Sequence, residues 1–335
     1  MRHLYFLVPG TSGQYRVGGL FAELKIFKLA QQICRADVVT YAQPEKDTLF
    51  LDDLLTRSPN TSLSINLQQD AIFVVSWGFH VPKLVKRLKG YNIIYHAHSA
   101  GYGFTLPSDI PILTVSRNSL GYWGQRSINS LLYYLPNHIS KEFRNRHQPR
   151  DIDVLVQSRK SSGYLLNQLV PGLKSHCKVT VLDSFVEDLA GVFNRSKVYL
   201  YDSAEYWGQY GISEGFGLPP LEAMACGCQV FASVNGALAD YLDPGFNCHK
   251  IAAYSTAFDV QRILKVVQST HLEFLPESFF DDYREVNIVK RLRVILAEIN
   301  DFFDHTRSQP GDISGLTRTR RLRLLLKRVA KKLKK

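Results

Sequence analysis

Two glutamates flank a glycine-rich turn in the second half of the chain. The stretch 213–227 reads SEGFGLPPLEAMACG, with Glu214 before the turn and Glu222 eight residues later. Gly215 and Gly217 allow a sharp turn, and the two prolines that follow suit the first turn of a helix. Backbone N–H groups at a helix N-terminus bind anionic and hydroxyl-rich ligands. The pattern therefore predicts a site for such a ligand, and the alternative is a helix whose acidic first turn is stabilised by its own dipole.

Two further loops carry groups that bind anions. The loop 9–19 (PGTSGQYRVGG) follows an apolar run and ends on Gly18 and Gly19 before a helical pattern. Arg159 and Lys160 follow the first apolar run of the second half, where cationic groups would neutralise negative charge. The alternatives are an ordinary flexible loop and a solvated basic pair.

Two histidines end an apolar run with the sequence YHAHS. His96 and His98 are two residues apart, which places them on one face of an extended strand. We expect no metal here, because the sequence nearby offers no carboxylate to complete a site. Asp151 and Asp153 spell D-x-D at the start of another strand, and we interpret them as solvated turn residues. The sequence therefore predicts no metal ligands.

The segment from Glu214 to Gly227, followed by QVFAS at 229–233, resembles the E-x7-E signature of the retaining glycosyltransferases of family four, which have the GT-B fold. Weaker similarity extends over most of residues 1–305. The resemblance implies that Glu222 binds the ribose hydroxyls of a nucleotide-sugar donor and that Glu214 lies near the transferred sugar. It also implies that the amides of Phe216 and Gly217 hold sugar hydroxyls.

The same resemblance extends to the other loops. Gly18 and Gly19 are expected to let a backbone amide approach the donor phosphate, and His98 to contact the donor sugar. Arg159 matches the family's arginine, whereas Lys160 is adjacent to it instead of about five residues later. With Gly215, these residues form the expected donor and catalytic site. The leaving diphosphate is thought to deprotonate the acceptor in such enzymes, so neither a bound cofactor nor a metal is expected.

Alternating strand and helix patterns must position these residues, and they predict two α/β units. Expected strands of the first unit are Leu4–Val8, Val38–Tyr41, Ala71–Ser76, Asn92–His96 and Ile112–Ser116, with helices at Gly19–Arg35 and Val81–Leu88. Expected strands of the second unit are Asp153–Gln157, Lys178–Leu182, Val198–Tyr201 and Gln229–Ser233, with helices at Gly163–Gly172, Phe185–Phe193, Leu218–Ala225, Thr256–Ser269 and Tyr283–Phe303. We predict two Rossmann-like domains facing each other across a cleft.

The predicted domain boundaries follow from the strand and helix patterns and from composition, whereas the role of each domain and the return of the last helix are what the resemblance implies. The ranges are an acceptor-side domain at 1–136, a linker at 137–150, a nucleotide-sugar-binding domain at 151–285, a helix at 286–307 that crosses back to the first domain, and a flexible break with a basic tail at 308–335. The formal charge of +11 belongs to the tail, because residues 318–335 hold ten basic and no acidic side chains. The other residues have a net charge of +1, so the body needs no polyanionic partner.

The tail has Leu322, Leu325, Leu326, Val329 and Leu333 at helical spacing opposite its basic face. Such a helix binds an anionic membrane surface, and the alternatives are a solvated tail or a nonspecific nucleic-acid contact. Five scattered cysteines without zinc spacing indicate reduced thiols and a cytoplasmic compartment. No run of residues is long and apolar enough to span a bilayer.

The resemblance thus implies a metal-independent, retaining hexosyltransferase of polysaccharide biosynthesis, and the tail predicts a peripheral location at the inner face of the membrane. It would move a sugar from a nucleotide-diphosphate sugar to a saccharide or lipid-linked acceptor. The rival hypotheses are another enzyme on the same fold, such as an epimerase or a phosphorylase, and a noncatalytic protein that binds nucleotide sugar or RNA.

Overall fold

The computed structural model describes residues 1–15, 18–56, 66–270, 272–315 and 318–333. Its first sheet has parallel strands in the order β3-β2-β1-β4-β5-β6-β7. These strands are β1 (His3–Val8), β2 (Ala36–Thr40), β3 (Leu49–Phe50), β4 (Ala71–Val75), β5 (Asn92–Ala97), β6 (Ile112–Thr114) and β7 (Leu132–Tyr134). The inner strands are apolar on both faces, as expected for a parallel sheet covered on both sides.

The second sheet is also parallel and has the order β12-β11-β10-β8-β9. Its strands are β8 (Ile152–Gln157), β9 (Val179–Leu182), β10 (Ser196–Tyr201), β11 (Gln229–Ala232) and β12 (His249–Lys250). Between the two sheets, residues 135–151 contain neither helix nor strand. Leu135, Ile139 and Phe143 in this stretch are nevertheless buried, so it is anchored to the rest of the chain.

Helices flank the two sheets, and the last of them is exposed. They are α1 (Gly18–Ala30), α2 (Leu51–Thr56), α3 (Leu67–Asp70), α4 (Val81–Arg87), α5 (Arg117–Arg126), α6 (Val170–Lys174), α7 (Leu189–Asn194), α8 (Ala204–Gly208), α9 (Leu218–Ala225), α10 (Thr256–Val267), α11 (Glu285–Ser308) and α12 (Arg318–Leu333). The long helix α11 packs Ile288, Leu292 and Ile299 against Phe6 and Ile26 of the first sheet's core. The chain therefore returns to its first half after completing the second sheet.

The strand orders place a crevice in each sheet. In a doubly wound sheet, ligands bind at the carboxyl ends of the strands where the winding direction reverses. In the first sheet the reversal lies between β1 and β4, and in the second between β8 and β10. The loops that follow these four strands carry most of the residues singled out from the sequence.

The predicted strands and helices are found with end shifts, and three differences have physical causes. Strands β3, β7 and β12 were not predicted, because two or three residues are too few to show a period. Helix α7 begins at Leu189, four residues later than predicted, because Asp188 caps it by accepting a hydrogen bond from the Gly191 amide at 2.8 Å.

The third difference is a π-helical turn at Leu165–Leu169, within the helix predicted over 163–172. The helix α6 that follows has Pro171 near its start. A proline ring inside a helix removes a hydrogen bond and crowds the carbonyl four residues earlier. A wider turn ahead of Pro171 fits this steric demand.

Five cysteines carry free thiols, and Cys226, Cys228 and Cys248 among them are buried. Helix α12 lies at the surface, with Leu322, Leu324, Leu325, Leu326 and Val329 each at least 51% exposed. Within the described ranges, we find no helix of the length and apolarity that crossing a bilayer requires.

Candidate active site

The glycine-rich turn ends at the N-terminus of α9. Gly217 caps the helix with a φ of 78° and a ψ of 60°, a left-handed conformation that favours glycine. The Tyr241 hydroxyl donates to the Gly217 carbonyl, which fixes the turn from below. Phe216 is buried, with ring centroids 5.9 Å from both Tyr241 and Tyr283. The turn is therefore rigid, and the first amides of α9 lie at the carboxyl ends of the strands.

Glu214 is buried just before this turn and accepts three hydrogen bonds on one oxygen. The donors to its Oε2 are the Tyr201 hydroxyl at 2.6 Å, the Ser203 hydroxyl at 3.0 Å and the Trp207 indole at 2.7 Å. The resemblance placed Glu214 near a transferred sugar, and these contacts hold its carboxylate in one orientation. Its second oxygen has no hydrogen bond from any described residue, so it can accept one from a ligand.

Lys160 lies beside Glu214, whereas Arg159 extends into solvent. The Lys160 ammonium sits 4.3 Å from the centroid of the Trp207 ring and 5.7 Å from that of Tyr206. Its backbone adopts a left-handed φ of 66°, which a lysine rarely adopts. Burial lowers the pKa of Lys160, and attraction by Glu214 opposes that shift. Both cations follow β8 at the switch point of the second sheet, as an anion-binding role requires.

Glu222 lies on α9 and is only 6% exposed. None of the described residues donates a hydrogen bond to its carboxylate. Burial raises the pKa of Glu222 to about 7, an effect that Lys25 opposes and Glu142 strengthens. Lys25 belongs to α1 of the first half, so this carboxyl faces the opposite side of the cleft. A buried carboxyl without partners is costly unless a ligand supplies them.

Gly18 and Gly19, at the end of the first loop, are the first two residues of helix α1. Gly18 and Gly19 are exposed, and a Cβ at either would meet nothing within 4 Å. The loop before them is held by Glu45, whose Oε2 accepts from the Thr11 amide at 2.9 Å and whose Oε1 accepts from the Ser12 hydroxyl at 2.9 Å. Glu45 was not predicted as a partner of this loop, because it lies 34 residues from Thr11 in the sequence.

His96 and His98 end β5 and share one carboxylate that the sequence analysis did not find. The Glu23 Oε2 lies 2.7 Å from His96 Nδ1 and 2.6 Å from His98 Nε2. The expectation that no carboxylate lies near these histidines was therefore wrong. The turn of α1 brings Glu23 across a separation of more than 70 residues, and no local spacing signals it. The three groups lie close enough to hold a metal ion.

The ionisation of Glu23 determines which nitrogens of His96 and His98 carry hydrogen. Burial alone would raise the pKa of Glu23, but the charge and hydrogen bonds of the two histidines outweigh it and lower the pKa to about 2. An ionised carboxylate only accepts, so both facing imidazole nitrogens carry hydrogen. His96 Nε2 and Glu23 Oε1 are buried without a partner among the described residues. A metal-bound histidine normally donates through its second nitrogen, which His96 cannot do here.

The two halves touch where these groups meet. The Ser213 amide donates to the Ala100 carbonyl at 2.9 Å, and the Ser99 hydroxyl donates to the Ser213 carbonyl at 2.5 Å. A Cβ at Gly215 would lie 1.5 Å from the His98 carbonyl oxygen. The structure thus brings His98 next to the glycine-rich turn.

Asp151 and Asp153 lie at the opposite, amino end of β8, away from the cleft. Asp151 pairs with Arg195 at 2.5 Å and Asp153 with Lys197 at 2.8 Å. These ion pairs occupy both carboxylates. The two aspartates of the D-x-D sequence therefore form two structural ion pairs and not a ligand site.

Comparisons with known proteins show a family model that matches part of this chain. The family model described as "Glycosyl transferases group 1" matches residues 170–269, a range that contains Glu214, Glu222 and the turn between them. A search of curated protein sequences finds no match.

Solved glycosyltransferase structures share the fold. A glycosyltransferase from Rickettsia africae is 10% identical with a TM-score of 0.59, over 89% of this chain and 98% of that chain. The Anabaena protein Alr3699/HepE, crystallised with UDP and glucose, is 15% identical with a TM-score of 0.53, over 92% of this chain and 100% of that chain.

A larger relative is covered only in part. The matched chain of the GtfA/B complex is 13% identical with a TM-score of 0.51, over 70% of this chain, and this match spans 58% of the length of that chain. At such identities the likeness concerns the fold. The chain has the two-sheet α/β architecture of GT-B glycosyltransferases.

Proposed function

We propose that this protein is a retaining glycosyltransferase that moves a hexose from a nucleotide-diphosphate sugar to a saccharide or lipid-linked acceptor. The observation that carries the proposal is Glu222, a carboxyl at the cleft with no hydrogen-bond donor from the described residues. A ribose offers two adjacent hydroxyl donors, which match the two acceptor oxygens of a carboxylate. The partial family match over 170–269, which includes Glu222, supports the same assignment.

The remaining site residues would then act on the diphosphate and the sugar. Arg159 and Lys160 would stabilise the charge that builds on the leaving diphosphate. Glu214 and the amides of Phe216 and Gly217 would position the transferred sugar. Gly18 and Gly19 would let the N-terminus of α1 approach the phosphates. Catalysis would consist mainly of positioning and charge stabilisation, without a bound metal.

A transfer assay tests this proposal. The protein is incubated with candidate sugar nucleotides and saccharide acceptors, with and without EDTA, and proton NMR follows the anomeric signal of the first product formed. We expect an α-linked product from an α-linked donor and an unchanged rate in EDTA. A β-linked first product would contradict retention, and loss of activity in EDTA would contradict metal independence.

We also propose that α12 holds the protein at an anionic membrane, where a lipid-linked acceptor would be presented. The helix exposes an apolar stripe beside a dense basic face. Each basic residue near such a surface contributes about 1 kcal/mol, and the buried apolar side chains add to this.

Vesicle sedimentation tests the membrane contact. The full chain is expected to sediment with vesicles containing phosphatidylglycerol and to remain in solution with pure phosphatidylcholine. The variant with Leu322→Gln and Leu326→Gln keeps every charge and should bind several-fold more weakly. Equal binding by this variant, or preference for single-stranded RNA over the vesicles, would contradict the membrane role and favour a nucleic-acid contact.

A further inference from the structure

A cavity of about 240 Å³ lies between the first sheet and the start of α12. Its walls come from the segments that precede β6 and β7, from the chain just before α12 and from the first turns of that helix. Because these segments precede their strands, the cavity lies at the amino ends of the first sheet. The candidate active site lies at the carboxyl ends, so a ligand of this cavity would be neither the donor nor the acceptor of the proposed reaction.

Two arginines, Arg126 and Arg321, line this cavity, and none of the described residues in its wall is acidic. Arg126 donates through Nη2 to the Gly103 carbonyl at 2.6 Å and through Nε to the Phe104 carbonyl at 3.3 Å, which fixes its guanidinium. Its Nη1 has no hydrogen bond to a described residue. Arg321 is exposed on α12. Guanidinium groups match the oxygens of a phosphate in geometry and charge, so the cavity favours such an anion.

A buried hydroxyl in the wall of the cavity lacks a hydrogen-bond partner. Ser127 is only 5% exposed, and its Oγ forms no hydrogen bond with any described residue. The Ser127 amide donates to the Trp123 carbonyl at 2.8 Å, which fixes the residue at the end of α5. An unpaired buried hydroxyl costs free energy, and a phosphate oxygen in the cavity would accept its hydrogen.

One hydrogen bond holds the chain before α12 against the cavity. The Asn129 side-chain amide donates to the Ile313 carbonyl at 3.0 Å. Ile313 and Ile128 both line the cavity and are 78% and 47% exposed. The cationic cavity is therefore bordered by exposed apolar side chains and lies beside the apolar stripe of α12. A phosphate with an apolar group attached fits these surroundings better than a free phosphate does.

We propose that this cavity binds the phosphate of an anionic lipid headgroup, with Arg126 and Arg321 on its oxygens and the Ser127 hydroxyl donating to one of them. The inference rests on the proposed membrane contact of α12 and adds a defined headgroup site to it. Ile128 and Ile313 would contact the apolar part of the same lipid. A second contact at the membrane surface would fix the orientation of the first sheet there.

A short-chain lipid probes the cavity without a membrane surface. Dihexanoyl phosphatidylglycerol is added below its critical micelle concentration, and proton–nitrogen NMR follows the Asn129 side-chain amide. We expect a saturable shift, with roughly tenfold weaker binding in Arg321→Gln, because a charge-assisted hydrogen bond is lost. The matched control Arg328→Gln removes the same charge two helical turns later on the same face of α12 and should leave the affinity unchanged. No shift, or an equal loss of affinity in both variants, would overturn the proposal.

The Ser127→Ala substitution tests the cavity without changing the charge. Since the hydroxyl has no partner among the described residues, its removal should leave the melting temperature unchanged or slightly higher. We expect several-fold weaker binding of the short-chain lipid. The control Ser175→Ala removes an exposed hydroxyl of the second half and should bind the lipid normally. An unchanged affinity in Ser127→Ala would contradict the proposed site.

Competition identifies the source of the phosphate. We expect inorganic phosphate to displace the short-chain lipid only at a much higher concentration, because it makes no apolar contact. Displacement at equal concentration by inorganic phosphate, or by a single-stranded RNA, would overturn the lipid assignment. Sedimentation of the unaltered protein with phosphatidylglycerol vesicles reports the membrane contact of α12 separately. Sedimentation without an NMR shift would contradict the headgroup site, whereas a shift without sedimentation would support that site and contradict the membrane contact.

Discussion

Replacing Gly215 with alanine is expected to reduce sugar transfer by at least about a hundredfold, because the two halves of the cleft meet at this residue. The added Cβ would lie 1.5 Å from the His98 carbonyl oxygen and 2.7 Å from the carbonyl carbon. Both contacts involve backbone atoms, so no side chain can rotate away. The loops must separate, which breaks the hydrogen bonds of Ser213 to Ala100 and Ser99.

The matched control for this prediction is Gly208→Ala in helix α8. A Cβ at Gly208 meets nothing within 4 Å, so alanine should raise stability by up to about 1 kcal/mol without affecting transfer. Nucleoside diphosphate release measures the activity of both variants, and small-angle scattering measures the opening of the cleft. Normal activity in Gly215→Ala would show that the contact between Gly215 and His98 is not needed for turnover.

The Glu222→Gln substitution should change both the stability and the pH dependence of nucleotide binding. The pKa of Glu222 is raised to about 7 by burial. A group with a raised folded-state pKa stabilises the protein below its ordinary value near 4.5, and this stability is lost as the pH rises through 7. The loss amounts to about 3 kcal/mol by pH 8. Glutamine cannot ionise. The melting temperature of the variant should therefore be higher than that of the unaltered protein at pH 8 and equal to it at pH 4.

The affinity for a sugar nucleotide should rise with pH, whereas the stability of the protein falls. Ribose hydroxyls donate to the ionised carboxylate, so affinity for a sugar nucleotide is expected to rise about tenfold between pH 6 and pH 8. The diphosphate of a sugar nucleotide is esterified at both ends and has no proton to lose in this range. Glu222→Gln should bind weakly and without this pH dependence. Titration calorimetry at the two pH values measures the affinity, and an equal slope in both proteins would remove Glu222 from the ribose site.

Much of the fold could be predicted from the sequence, because buried parallel strands and amphipathic helices leave periodic patterns. The two-sheet organisation and helix α9 were predicted from such patterns, with Leu218–Ala225 found at the predicted bounds. The short strands β3, β7 and β12 were missed, since two or three residues show no period. The helix α5 was also missed, because its polar composition gives only a weak apolar stripe.

Some residues of the candidate site could likewise be predicted from the sequence, and others could not. Glu214 and Glu222 belong to one continuous segment, so their type and spacing were visible in the sequence. Glu23 was not visible, because it meets His98 only after α1 packs beside β5, 75 residues away. The shared cavity of Trp77 and Tyr102 was not predicted for the same reason, since these residues follow different strands. Contacts between separate loops depend on tertiary packing, which local patterns do not encode.

The central claim is that Glu222 binds the ribose of a nucleotide sugar. Thermal unfolding against UDP-, GDP- and ADP-sugars, with Glu222→Gln and the control Gly208→Ala, tests it most directly. A ligand at a hundred times its dissociation constant adds about 2.7 kcal/mol to the free energy of unfolding, which is readily seen as a rise in melting temperature. We predict a rise with one nucleotide class in the unaltered protein and in Gly208→Ala, and none in Glu222→Gln. No rise with any nucleotide, or an equal rise in Glu222→Gln, would contradict the claim.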